Sequence, residues 1–249
     1  MSFYRKETLG AQPAVVLFEP GAPVLVQTDD ICVISIPGRL SMPTNRYLKR
    51  LVDLGLSSII ILCLFPFLLP LIALLIWLDS GGPIFFLQKR NKIHGGVFTC
   101  MKFRTMESGR VSDNQHGGSG ETQITRVGNF LRQTHLDELP QLFNVWIGDM
   151  SLVGPRPYMI CDNQQWEMVV PHYHFRHTVK PGITGLAQAA GLTGPMQDLA
   201  AVEERWKKDI TYIYEWSLWL DVQILWATIR NIVNSRNLKV KMPTKNVQP

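Results

Sequence analysis

One long apolar block interrupts an otherwise mixed chain. From Leu54 to Leu78 there is no Asp, Glu, Lys, Arg or His, a run of about 25 residues, where about 20 in a helix suffice to cross a bilayer. Pro66 and Pro70 sit near its middle, and each removes a helical N–H and kinks the helix. Arg46, Lys49 and Arg50 precede the block, and Lys89, Arg90 and Lys92 follow it. Cations beside membrane segments prefer the cytoplasmic side. Basic clusters at both ends therefore favour a helix that enters the bilayer, breaks and returns to the same face. A proline-kinked spanning helix is the alternative. The block starts some fifty residues in, with no small-residue cleavage site behind it, so it does not read as a signal peptide.

Shorter patterns follow. "DSGGP", with Asp79, Gly81, Gly82 and Pro83, forms a turn, and "IFFLQ" reads as a strand. "VFTCMKFRTM" (97–106) alternates as a second strand. Residues 107–121 have almost no apolar content and read as a loop, with a lid over a substrate as one use for it. "ITRVGNFLRQTH" (124–135) places Val127, Phe130 and Leu131 at helical spacing. In "DELPQLFNVWIGDMS", Pro140 belongs in a first helical turn, so a helix starts near Asp137, with Asp137 close to the N-cap. Leu139, Leu142, Phe143 and Trp146 then form its apolar face. "VKPGITGLAQAAGLTGP" is glycine-rich and irregular, and its "PGITG" reads as a turn. The last third carries Trp206, Tyr212, Tyr214, Trp216, Trp219 and Trp226, which suit an amphipathic region at a membrane–water interface. An ordinary aromatic core is the alternative.

Composition narrows the picture. The chain has 249 residues and a net charge of +5, enough for one main domain with appendages. Residues 1–43 are an extension with apolar patches able to form a short strand or two. Residues 44–236 make the main domain, with 54–78 as its membrane segment, and 237–249 form a basic tail. The four cysteines are scattered without a CxxC pair, which argues against a disulfide framework or zinc site and for a reducing, cytoplasmic setting. The basic excess suits phosphates on lipid or nucleotide and is too small for nucleic acid. His172, His174 and His177 lie close in sequence, but no carboxylate or cysteine motif accompanies them.

Candidate chemistry centres on "HLDELPQLFNVWIGDMSLVGPRP". The adjacent Asp137 and Glu138 either cap a helix start or handle phosphate, one as a nucleophile forming an acyl phosphate or as a metal ligand. A carboxylate that attacks polyphosphate needs cations to offset repulsion, and Lys102, Arg104, Arg126, Arg132 and Arg156 lie in polar surroundings on both sides. Arg156 stands between Pro155 and Pro157. Those prolines restrict the backbone, which makes either a rigid turn or a guanidinium preset for bidentate phosphate binding.

Here the sequence resembles the bacterial sugar transferases, monotopic phosphoglycosyl transferases that prime exopolysaccharide, O-antigen or capsule synthesis. "KRLVDLGLSS", "FFLQKR", "KFRTM", "TRVGNFLR", "LDELPQLFNVWIGDMSLVGPRP", "KPGITGLAQ" and "WSLWLDVQIL" match in order across roughly 44–235. The resemblance implies a mainly helical α+β fold: a re-entrant helix broken at Pro66, amphipathic interfacial helices and a small β element around an active site at the cytoplasmic face of the inner membrane. It implies transfer of a hexose-1-phosphate from a UDP-sugar to undecaprenyl phosphate, with UMP as the other product. Asp137 matches the nucleophile and a Mg2+ ligand, and Glu138 the second acid of the dyad. Lys102, Arg104, Arg132, Pro155, Arg156 and Pro157 match substrate-binding positions. UDP-glucose is the first choice of donor and UDP-galactose the second. The lipid bilayer and other polysaccharide-assembly proteins are implied partners. A non-catalytic scaffold of such an assembly is the alternative function. The chain departs from the pattern at Phe65, where relatives often have Ser, at Lys92 in place of Gly, and at Leu192–Thr193, where an arginine is expected.

Overall fold

The computed structural model describes residues 38–107, 123–194 and 198–241, the last seven as backbone only, together with the backbone of four short strands before residue 38. Of the polar stretch 107–121 expected to form a loop or lid, all but Glu107 lies outside the described residues. The architecture is mainly helical with small two-stranded sheets, an α+β chain. In the N-terminal extension β1 (Lys6–Leu9) pairs antiparallel with β2 (Gln12–Val15), and β3 (Val26–Thr28) with β4 (Ile31–Val33). The region thus holds two hairpins, more than the strand or two expected.

Helix α1 (Pro43–Ser80) carries the whole apolar block. It is one helix through Pro66 and Pro70, so the expected division into two helices does not occur at the level of secondary structure. Proline's fixed φ is helical, and what is lost is the N–H that would bond the carbonyls of Leu62 and Pro66. Four residues apart, the two prolines place both losses on one side of the helix. That side is exposed, while Phe65 is buried. A helix weakened on its outer side curves toward the body it packs on.

The buried positions of α1 are Lys49, Asp53, Ser57, Phe65, Ile72 and Ile76, a stripe at near four-residue spacing facing the domain. The rest is unusual for a water-facing helix: Leu51, Ile59, Leu62, Phe67, Leu71, Trp77 and Leu78 are all at least half exposed. Gly81 (φ 54°) and Gly82 (φ 95°) end the helix in conformations that β-carbon residues avoid. β5 (Phe85–Asn91) then pairs antiparallel with β6 (Val97–Phe103), Gln88 opposite Cys100 and Phe86 opposite Lys102.

Helix α2 (Arg126–Thr134) is capped by the Thr125 hydroxyl, which accepts from Gly128 N. It lies so close to β6's exit that a Cβ on Gly128 would stand 2.1 Å from Thr105 O. Leu131 is buried as its spacing predicts, whereas Phe130 is exposed. A 3-10 turn, Leu136–Glu138, separates α2 from α3 (Gln141–Ile147). The helix expected to begin near Asp137 therefore begins at Gln141. Its N-cap is Pro140, which offers no side-chain oxygen, and Asp137 belongs to the preceding turn. Of α3's apolar face, Leu142 is buried, Phe143 meets Phe65 edge-on at 5.0 Å, and Trp146 is half exposed, its Nε1 donating to Ser58 Oγ.

The remaining elements are β7 (Ser151–Val153), α4 (Ile160–Val169), β8 (Gly182–Thr184), α5 (Leu186–Ala189), α6 (Leu199–Glu215) and α7 (Leu218–Lys241). The "PGITG" stretch expected as a turn includes β8, which runs parallel to β7. Gly182 is required there because a Cβ would stand 2.1 Å from Gly154 N. The C-terminal aromatics divide between the two expected roles. Tyr212 and Trp216 are buried in the main core, while Tyr214, Trp219 and Trp226 are exposed.

Both ends of α1 are bolted to this one domain by polar contacts. Near its start, Lys49 Nζ lies 2.7 Å from Asp221 Oδ2 of α7, and Asp53 accepts from Ser151 Oγ (2.7 Å) and Leu152 N (3.0 Å) of β7. Asp221 also accepts from Trp216 Nε1 and the Tyr212 hydroxyl. At its end, Asp79 Oδ2 accepts from Val127 N at 2.9 Å, and Ser80 Oγ and Gly81 O accept from Arg104. Removing one partner of a buried ion pair leaves an uncompensated charge. Lys49→Met should therefore cost about 3–5 kcal/mol, read as a lower thermal midpoint of the detergent-solubilised protein. An unchanged midpoint would show that the network does not hold the helix.

Candidate active site

The centre of the site is built by three segments far apart in sequence. The first is β6, whose inward face carries Cys100 and Lys102. The second is the 3-10 turn bearing Asp137 and Glu138. It is placed against β6 by Asn144 of α3, which accepts from Met101 N (3.0 Å) and donates to Thr99 O (2.8 Å), so it pairs with the strand edge as another strand would. The third is the Gly154–Pro157 loop leaving β7. Pro155 O accepts from Gly182 N, Pro157 O from Arg90 Nη1, and Arg156 O from Arg176 Nη2 at 2.7 Å. Arg176 is itself buried, 2.9 Å from Asp209, donating to the Tyr173 hydroxyl and stacked 4.4 Å from the Tyr158 ring centre. The backbone that presents Arg156 is thus held from behind at three successive carbonyls.

These segments meet at the Glu138 carboxylate. Lys102 Nζ approaches Oε1 at 2.7 Å, and Arg156 Nη2 reaches the same oxygen at 2.8 Å. Burial would raise this carboxyl's pKa, but the Arg156 and Lys102 charges and their hydrogen bonds win and hold it well below the usual carboxylate range. Glu138 in turn raises the Arg156 guanidinium's pKa against burial. The acid pair is therefore split. Among the described residues the Asp137 side chain makes no hydrogen bond or ion pair. Burial, then the charge of Glu138, raise its pKa above the ordinary aspartate value, against the pull of Lys102, His135 and Arg132. One carboxylate is pinned as a counter-charge and the other is not.

A cleft of about 220 Å3 opens on this centre. Its lining holds four cations, Arg90, Lys102, Arg156 and Arg205, against two carboxylates, Glu138 and Asp162. An excess of cations in a partly buried cleft favours an anionic ligand. Of the residues predicted from sequence, Lys102, Glu138, Arg156 and Pro157 line the cleft. Asp137 lies in the same turn as Glu138 without lining it. Pro155 is buried with its carbonyl bonded to β8. Arg104 is drawn to the end of α1. Arg132 is exposed, its Nε on Thr105 Oγ1 at 2.8 Å, yet near enough to act on Asp137.

Sequence reading missed Arg90 and Arg205 as site residues. Arg90 was visible as a flanking cation, and its two-residue register with Gln88 on a strand was the signal for an inward face. Arg205 lies on α6, and no local pattern marks it. Its guanidinium bonds the carbonyls of Thr193 (3.2 Å) and Gly194 (3.1 Å). It so brings a positive charge to the stretch where Leu192 and Thr193 replace an expected arginine. The other departures are accommodated too: Phe65 packs on Phe143, and Lys92 pairs with Asp149 at 2.7 Å.

An apolar helix thus lies along a small α+β domain, in which an acid dyad faces cationic loops. The family model for bacterial sugar transferases matches residues 44–235, and the chain belongs to that family. It is 44% identical over 189 residues to the UDP-glucose:undecaprenyl-phosphate glucose-1-phosphate transferase of Escherichia coli, covering 74% of this chain and 40% of that protein. It is 41% identical to the protein of the same name from Caulobacter vibrioides, covering 76% of this chain and 71% of that one. It is also 42% identical to the exopolysaccharide production protein PSS of Rhizobium leguminosarum, over 73% of this chain and 93% of the relative. The chain spans less than half the length of the Escherichia coli relative.

The two arginines separate by experiment. Arg205→Gln should weaken inorganic diphosphate binding about 10-fold or more, the worth of one charge-assisted hydrogen bond at about 1.5–3 kcal/mol, measured by titration calorimetry. Arg104→Gln should lower the thermal midpoint and leave that affinity unchanged.

Proposed function

We propose that the protein transfers a hexose-1-phosphate from a UDP-sugar to undecaprenyl phosphate at the cytoplasmic face of the inner membrane, as a first step of exopolysaccharide, O-antigen or capsule synthesis. The observation that carries this is the split dyad: a free Asp137 beside a Glu138 neutralised by Lys102 and Arg156. Asp137 attacks the β-phosphorus of the donor. The bond from that phosphorus to the oxygen bridging the α-phosphate breaks, UMP leaves with the electron pair, and a phosphosugar–aspartyl acyl phosphate, a mixed anhydride, remains. A phosphate oxygen of the lipid then attacks the same phosphorus, and Asp137 departs as a carboxylate. The cations around Glu138 and Arg205 offset the charge of the diphosphate as it approaches. UDP-glucose is the favoured donor, supported by the names of the Escherichia coli and Caulobacter relatives.

The residues present fit a substrate-borne Mg2+. No cluster of three His, Cys, Asp or Glu occurs among the described residues, but Mg2+ takes one or two protein carboxylates with substrate phosphates and waters completing its shell. Asp137 would hold it, since the Glu138 oxygens are engaged by Lys102 and Arg156. The ion would supply further positive charge at the diphosphate. Asp137→Asn should abolish UMP release, a loss of at least about 1000-fold for a missing nucleophile, while the variant still sediments with membranes. Turnover in that variant would overturn the role of Asp137.

Helix α1 is read as re-entrant. Straight, its 38 residues would span about 57 Å, yet both of its ends are tied to the same domain, which lies on one side of a bilayer. Its exposed apolar side would face lipid, with Pro66 and Pro70 at the outermost point. On α7, Trp219, Val222, Trp226, Ile229 and Val233 are all at least half exposed at alternating three- and four-residue spacing, a stripe suited to lying in the interface. In a cysteine-free background, Tyr47→Cys and Pro83→Cys should both react with an impermeant thiol reagent from the cytoplasmic side. Labelling from opposite sides would establish a spanning helix instead.

A further inference from the structure

A second cavity, of about 250 Å3, lies at the foot of α1 and shares no residue with the catalytic cleft. Leu40, Ile93, Val153 and Val179 give it apolar walls, and Arg46, Arg50 and Lys180 stand around it. The electrostatics there are unbalanced. Lys49 and Asp53, also in the lining, are engaged with Asp221 and Ser151. Arg50 donates to the carbonyls of Val145 (2.6 Å) and Trp146 (2.7 Å), and Arg46 to Leu40 O (2.9 Å). Neither guanidinium has a carboxylate partner among the described residues. The Lys180 ammonium has no hydrogen bond or ion pair among them. Burial and nearby Arg50 lower its pKa, while Asp53 and Asp149 pull the other way. Three cations with no carboxylate at ion-pair distance among the described residues, around an apolar hollow, make a place for a ligand with an anionic head and an apolar body.

Position along α1 says which ligand. Arg46 and Arg50 precede the apolar block by one to two turns, about 6–12 Å at 1.5 Å per residue, the depth of headgroups beside a hydrocarbon core. Tyr47, in the lining, is 74% exposed, and Leu48 and Leu51 continue an exposed apolar surface from it. We propose that this cavity seats the phosphate of an anionic membrane phospholipid, held by Arg46, Arg50 and Lys180, at a site separate from the catalytic cleft. The proposal rests on the reading of α1 as membrane-embedded. Its consequence reaches the active site, because Arg50 caps the C-terminal carbonyls of α3, the helix whose other end carries the catalytic turn.

The test uses the full chain in detergent with short-chain phosphatidylglycerol, short-chain phosphatidylcholine or inorganic phosphate, reading the thermal midpoint. A ligand present at about 100 times its Kd raises the folded-to-unfolded ratio about 100-fold. Phosphatidylglycerol should raise the midpoint by several degrees, and the other two should not. Arg46→Gln and Lys180→Gln should each lose at least half of that rise. Lys180→Arg and the remote surface variant Lys89→Gln should keep it, and all four should retain basal UMP release in phosphatidylcholine nanodiscs. An equal rise with phosphatidylcholine or free phosphate, or a rise that both Gln variants keep, overturns the proposal. Flotation with phosphatidylcholine vesicles separates the two readings. A wild-type chain that fails to float sinks the membrane reading and this one with it. A chain that floats but gains nothing from phosphatidylglycerol sinks this one alone.

Discussion

A buried carboxylate is stable only where cations come to it, and Glu138 draws them from two directions. Lys102 arrives from a strand, Arg156 from a loop behind a different sheet. An ion pair at this depth gains from its attraction only when geometry is good and the remaining donors are satisfied. Much of the surrounding structure supplies that geometry. Asn144 sets the distance between the turn and β6, the parallel β7–β8 pair sets where the Pro-flanked loop emerges, and the buried Arg176–Asp209 pair holds the loop's backbone. Asp137 benefits without taking part. Its neighbour absorbs the nearest cations, which leaves it a carboxylate whose pKa burial and the Glu138 charge raise.

The second constraint is that a helix as apolar as α1 must be anchored to a domain while one apolar side stays exposed. Its first turns solve this with buried polar residues rather than apolar ones. Lys49, Asp53 and Ser57 face inward; Lys49 pairs with Asp221, which also accepts from Tyr212 and Trp216, and Asp53 accepts from Ser151. Polar pairing gives orientation where apolar packing alone would be permissive, since every face of the helix is hydrophobic in its middle. The prolines fall on the exposed side of the helix, away from the buried Phe65, so the missing hydrogen bonds leave its contact with Phe143 intact.

Where local sequence left an outcome open, packing decided it. Asp137 looked like an N-cap because Asp before a proline-containing first turn is a common start. The chain instead inserts a 3-10 turn that ends with Leu139, after His135 adopts a left-handed conformation (φ 56°). That geometry is set by packing against β6 and not by local propensity. Arg104 and Arg156 looked alike as cations in polar surroundings. Arg104 follows the last residue of β6 and stands beside the end of α1, where the Ser80 hydroxyl and the Gly81 carbonyl claim its guanidinium. The C-terminal aromatics likewise separated into core and surface by the position of Asp221, which binds Tyr212 and Trp216.

The sequence by itself determined the existence of the apolar helix, the β5–β6 hairpin, the acid pair and the restrained Arg156, because each depends on neighbours within a few residues: hydropathy runs, strand alternation, proline's fixed φ. The tertiary structure alone decided which carboxylate is free, which arginines enter the cleft, and that Arg205 reaches it from α6. The charges that settle Glu138 lie 18 and 36 residues away in sequence. A buried charge is settled by whichever partner the fold delivers, and no local pattern carries that information.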